Sequence, residues 1–252
     1  MSKYFNRLPL WLCALVALTV GVLSATVTAA PAAERVAATP APSPTHWWTA
    51  DKTGRDRAGT DDGQLLNGVT YTRGVSGKAF HFNGQGSVVQ FDPVGGNFGR
   101  DPFTIAFFIR TTSPLPQAIW GKRPVCNAAS FWDFRMTGNE WGVELDGDEL
   151  GTDDTGVLGA PIIADGNWHH LALVRDGTSN TIYVDGGNPS TTISPEPVML
   201  SNNEPMRAGM SACTGVDGTN PYEGDLDELM TFDSALTPDQ INALIHSLRG
   251  KH

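Results

Sequence analysis

The residues with the clearest chemical potential lie in the run Glu144-Leu145-Asp146-Gly147-Asp148-Glu149. Read as E-x-D-x-x-E, it offers three acids that a bulged strand can place on one face. Two carboxyl groups about 5–5.5 Å apart hydrolyse a glycosidic bond with retention, one as nucleophile and the other as acid and base. Gly147-Asp148 reads as a turn, however, which carries Glu149 past the strand end. Acidic turns are also common in a chain with 27 Asp and Glu against 17 Lys and Arg. The adjacent His169 and His170 point to opposite faces of a strand, so they cannot hold one ion together. Asp146 to Asp154 has Gly151 at the sixth place of an EF-hand loop, but Leu150 and Val157 stand at the fifth and twelfth, where ligands are needed. There is no nucleophile elbow, phosphate loop, dinucleotide fingerprint or C-x-x-C pair.

Two other groupings invite binding chemistry. Asp133 and Arg135 in one strand pattern, and Glu144 and Asp146 in the next, project to one side of two neighbouring strands. Carboxylate and guanidinium groups read sugar hydroxyls, and an aromatic ring stacks on a sugar's apolar face. Trp120 and Tyr183 are the candidate rings. The alternative is a cross-strand salt bridge on a solvated sheet. The second grouping is Asp225, Asp227 and Glu228, beside Gly224. Alternation sends Asp225 and Asp227 to one face and Glu228 to the other. Carboxylates so close repel one another unless a cation or hydrogen-bond donors lie among them.

The elements that must position these groups are short. Residues 1–29 read as a secretory leader: Lys3 and Arg7 form a positive end, Leu10 to Leu23 an apolar run, and Val27-Thr28-Ala29 a small-residue cut before Ala30. An uncut leader would just span a bilayer; after cleavage no membrane span remains. Residues 30–45 form an Ala/Pro-rich linker, and the folded part is expected over residues 46–248. Cys126 and Cys213 are the cysteines left after export, and an even count in a secreted chain suggests one disulfide, the alternative being two buried thiols. The net charge of −10 and the absence of a Lys/Arg cluster along the chain set nucleic acid aside as a partner.

Within the folded part, glycine is abundant (28 of 252 residues, against a usual ~7%), which suits short strands joined by tight turns. Strand patterns run over Ala79–Phe82, Ser87–Phe91, Phe103–Arg110, Phe131–Met136, Trp141–Leu145, Trp168–Arg175, Thr181–Val184 and Tyr222–Phe232. One helix is signalled by Thr237-Pro238-Asp239-Gln240, a capping box with proline at the first helical position. Ile241, Leu244, Ile245 and Leu248 follow at helical spacing.

The order GKAFHFNGQG, FTIAFFIRT, ADGNWHHLALVRDG, IYVDG and YEGDLDELMTFDSALTPDQI resembles the laminin-G-like jelly rolls of the concanavalin A-like lectin/glucanase superfamily over residues 46–248. The resemblance implies an all-β fold, a two-sheet antiparallel jelly-roll β-sandwich with one short C-terminal helix, in an extracellular setting. It implies a structural Ca²⁺ tying the first strand to the last, with Asp227 as side-chain ligand and carbonyls around Asp51 and Gly84; Asp227 could instead be a hydrogen-bonded core carboxylate. In the laminarinase- and lichenase-type hydrolases of the superfamily the catalytic strand lies two before the one resembling Trp168–Arg175, and counting back two patterns gives Phe131–Met136, which has no glutamate pair. The expectation is therefore a secreted, non-catalytic module binding a glycan or a cell-surface or extracellular protein. The alternatives are a glycoside hydrolase and a purely structural or adhesive domain.

Overall fold

A computed structural model describes residues 39–126, 130–138, 140–147, 155–159 and 162–249. The expected leader, most of the linker, and Asp148 and Glu149 lie outside the described residues. The elements begin with β1 (His46–Trp48), β2 (Gln64–Leu66), β3 (Thr70–Arg73), β4 (Lys78–Asn83), β5 (Val88–Gln90) and β6 (Phe103–Arg110). They continue with β7 (Gln117–Lys122), β8 (Phe131–Thr137), β9 (Glu140–Asp146), β10 (Thr155–Gly159) and β11 (His169–Asp176). The last are β12 (Ser179–Val184), β13 (Gly187–Ile193), β14 (Arg207–Ala208), β15 (Asn220–Pro221), β16 (Glu223–Phe232) and α1 (Pro238–Arg249).

They form two sheets. One runs β13-β12-β11-β6-β16-β4-β3, with β1 also on β16; the other runs β10-β9-β8-β7-β14-β5-β2, with β15 on β7. Pairing is antiparallel except between β15 and β7. Alternation along β6 explains the layering. Phe103, Ile105, Phe107 and Ile109 enter the core between the sheets, while Ala106 and Phe108 face outward into a second apolar cluster. Ile241, Ile245 and Leu248 of α1 close that second cluster, so the central strands β6, β11 and β16 are buried on both faces. The helix starts where the capping box places it: Gln240 N–H donates to Thr237 Oγ1 at 3.2 Å, and Thr237 N–H to Gln240 Oε1 at 2.9 Å.

The order of strands and one bulge depart from the expected pattern in ways that matter for the site. β10 adds a strand between β9 and β11, paired with β9. β16 carries a bulge between Asp227 and Met230 against β6, with Glu228 in the left-handed region at φ 51°. The extra residue breaks strict alternation, so Glu228 turns to Trp47, whose indole N–H it accepts. Cys126 and Cys213 form the disulfide, with 4.4 Å between their Cα atoms.

Candidate functional site

β8 and β9 pair Asp133 with Glu144 and Phe131 with Asp146. Trp132, Phe134, Val143 and Leu145 are committed to the core, so Asp133, Arg135, Glu144 and Asp146 take the opposite face of the sheet. Three of these join one charge network with Arg123. Arg135 Nη1 donates to Glu144 Oε1 at 2.7 Å, and its Nη2 to Asp217 at 3.0 Å and Thr219 Oγ1 at 2.8 Å. Arg123 donates to the other oxygen of Glu144 and to the Cys126 carbonyl, lies 3.5 Å from Asp133 Oδ2, and stacks 3.7 Å over Phe131. The disulfide ties together the two loops that deliver Arg123 and Asp217.

Both oxygens of Glu144 are thus held by guanidinium groups. Asp133 is buried, and its Oδ1 has no partner among the described residues. Burial pushes its carboxyl up to about 7, against the pull of Arg123 and Arg135. Gly121 lies opposite Asp133 in β7, where a Cβ would collide with that same oxygen. The two candidate rings do not join this face. Trp120 is fully buried in the core, edge-on to Trp48, Phe107 and Trp132, so it presents no face to a sugar. Tyr183 belongs to the other sheet and packs against the cluster beneath α1. The strand count also changes: with β10 present, two strands before β11 is β9, the strand of Glu144, and not β8. Its would-be partner Glu149 lies outside the described residues.

The set expected to hold calcium is not brought together around one ion. Asp227 Oδ2 accepts the N–H groups of Val75 at 2.7 Å and Ser76 at 3.2 Å, and Oδ1 accepts Glu228 N–H at 2.9 Å. These N–H donors balance the carboxylate without a cation. Burial and the nearby Glu228 push Asp227 up to about 8, although the three amides pull it down. Asp51 accepts Lys78 N–H at 2.9 Å, at the start of β4, whereas Gly84 lies just past the other end of that strand. The residues therefore do not fit a shared ion. A cation does sit among carbonyls elsewhere, and it belongs to the chain: buried Lys122 donates to the carbonyls of Pro93 and Glu204. Burial lowers its pKa to about 8, with Asp61 and Glu204 opposing. His170, edge-on to Phe108, is held down at about 3 by burial, consistent with a structural role.

Sequence reading missed one arrangement. A cleft of about 490 Å³ is lined by Arg73, Gly74, Val75, Arg110, Asn167, Trp168 and Arg249. Its arginines come from the end of β3, the end of β6 and the last turn of α1, so no local cluster announces them.

Residues 83–242 match the Laminin_G_3 family, described as the Concanavalin A-like lectin/glucanases superfamily. The chain belongs to this superfamily. Over 114 residues the superfamily domain is 30% identical to the basement membrane-specific heparan sulfate proteoglycan core protein of Mus musculus, a match covering 44% of this chain and 3% of that far longer protein. Its sandwich superposes on the binding domain of botulinum neurotoxin DC solved in complex with SialylT, with a TM-score of 0.64 at 15% identity over 81% of this chain and 50% of the other. It also superposes on domain 4 of AbnA, a GH43 extracellular arabinanase from Geobacillus stearothermophilus solved with arabinotriose (TM-score 0.58, 21% identity, 80% and 98% coverage). At these identities the structural likeness speaks for the sandwich alone.

Proposed function

We propose that the chain is a secreted, non-catalytic binding module for carbohydrate or for another cell-surface or extracellular ligand. The observation that carries this reading is the occupancy of Glu144. A retaining pair sets two carboxyl groups about 5–5.5 Å apart across the sugar, whereas Glu144 directs its oxygens to Arg123 and Arg135. The sandwich shared with domains solved in complex with SialylT and with arabinotriose supports a ligand of that class. The leader-like residues 1–29 and the Cys126–Cys213 disulfide support an oxidising, extracellular setting. No helix among the described residues is long and apolar enough to cross a membrane.

The position of Glu144 in β9, two strands before β11, keeps a glycoside hydrolase as the second reading. A glycan array and a reducing-sugar assay on the same preparation separate the two. Retention of glycans without release of reducing ends is the expected result. Hydrolysis of a β-glucan that disappears in Glu144→Gln would overturn the binding reading.

A further inference from the structure

The cleft beside Trp168 contains three guanidinium groups and no carboxylate among its lining side chains, although acids outnumber bases across the chain. The acids stand around it as anchors. Asp225 Oδ2 accepts from Arg110 Nε at 2.8 Å and lies 2.8 Å from its Nη2, and the Arg110 guanidinium lies 4.7 Å over the Trp168 ring. Asp185 holds Arg249 Nη2 at 3.1 Å. Asp227 takes the amides of Val75 and Ser76 and so fixes the β3–β4 turn that follows Arg73. The paired carboxylates of the GDLDEL run thus position two of the cleft's three arginine-bearing elements.

Arg110 is engaged through Nε and Nη2, the latter also toward the Arg73 carbonyl, and Arg249 through Nη2, which leaves the Nη1 of each outside these bonds. Arg73 is exposed and its guanidinium has no ion pair among the described residues. Planar guanidinium forks pair with carboxylate, sulfate and phosphate groups. A second cleft of about 300 Å³ adjoins this one through Arg110, and its polar lining includes His81, Thr111, Thr112, Glu223 and Asp225. Such a mixture of hydroxyls, carboxylates and an imidazole suits the hydroxyls of a neutral sugar. The partly buried Trp168 adds apolar surface for a sugar's C–H face.

We infer that these adjoining clefts form one site for an acidic oligosaccharide, with the anionic sugar against Arg73, Arg110 and Arg249 and a neutral sugar beside it against His81 and Glu223. The inference rests on the binding-module reading and names its ligand class; it can also fail while that reading stands. Within the class, a carboxylate and a sulfate ester offer the same acceptor geometry.

Titration calorimetry on the full chain tests it with three tetrasaccharides: hyaluronan, where carboxylate and neutral sugars alternate; chondroitin sulfate, which adds sulfate; and uncharged cellotetraose. Both charged probes should bind, and cellotetraose at least about tenfold more weakly. The ratio of the two charged affinities tells carboxylate from sulfate recognition. Arg73→Glu should cost at least about tenfold in Kd for the charged probes, with the melting temperature unchanged. Arg55→Glu alters net charge equally outside the cleft and should cost less than about twofold. Equal losses in the two variants would mean that overall charge, not this cleft, attracts the ligand, and would overturn the assignment. Equal binding of cellotetraose, unaffected by Arg73→Glu, would also overturn it while leaving a glycan-binding module in place. Binding of none of the three, with an acidic peptide bound instead, would remove the saccharide class altogether.

Discussion

The outer face of β8–β9 and the cleft beside Trp168 both gather arginines, and they treat them in opposite ways. On β8–β9 the side chains of Arg123 and Arg135 are only 6% and 13% exposed, and they converge on Glu144, Asp133 and Asp217. Charges there are paired with one another inside the protein, although Asp133 Oδ1 and Arg135 Nε have no hydrogen-bond partner among the described residues. At the cleft the carboxylates hold two guanidiniums from one edge and leave hydrogen-bonding capacity on the other, with Arg73 left over. Burial separates these outcomes. A buried charge must be paired for the fold to be stable, while an exposed one costs little to leave for a ligand. The conspicuous charges of β8–β9 are paired with one another, and the dispersed ones lie at the surface.

The comparison is tested most severely by opening the disulfide that steadies the loops of the charge network. Cys213→Ser should lower stability by about 2–5 kcal/mol. Chemical denaturation measures this, and a change under about 1 kcal/mol would mean the loops of Arg123 and Asp217 hold without it. Next, Glu144→Ala should cost about 1–3 kcal/mol, because it removes a shared carboxylate partner from two largely buried guanidiniums. An unchanged denaturation midpoint would show that the network does not contribute to stability.

A pH-dependent effect comes from Asp133. Its folded pKa of about 7 lies above the ordinary 3.8, so the folded state holds the proton more tightly. The stabilisation is complete below about pH 4 and is lost as pH rises through 7. Asp227, at about 8, acts in the same sense, whereas His170, at about 3, makes stability rise with pH between about 3 and 6.5. The diagnostic quantity is therefore the difference between variant and parent: Asp133→Asn should flatten the decline in melting temperature between roughly pH 4 and 8. Parallel profiles would place the Asp133 proton elsewhere. The smallest effect is expected at the cleft, where Arg73→Ala should change stability by less than about 0.5 kcal/mol.

Much of the fold was legible because burial writes a period into the sequence. Phe103–Arg110 alternates between two apolar clusters and matches β6, and the capping box marks the start of α1. β7 was not legible. Gln117 and Lys122 are polar residues buried in it, so hydrophobicity does not mark its ends, and without β7 as a strand Trp120 looked available to a ligand. β10 was hidden by the Gly- and Asp-rich stretch before it, and its absence from the sequence reading shifted the strand count onto β8. The bulge at Glu228 was invisible because alternation assumes one residue per step. For the site, pairing of Asp133, Arg135 and Glu144 followed from two adjacent strand patterns. The cleft did not, since Arg73, Arg110 and Arg249 meet only after the sheet has formed.

Lys122 has a consequence beyond its place in β7. Where carbonyl oxygens converge in a protein, the compensating positive charge is often a visitor whose residence depends on the surrounding fluid. At the Pro93–Glu204 corner the charge is covalently attached to the polypeptide, so its effective concentration is fixed by the chain. Dialysis or a sequestering agent cannot strip it away, and this corner keeps its charge balance in dilute and mineral-rich surroundings alike.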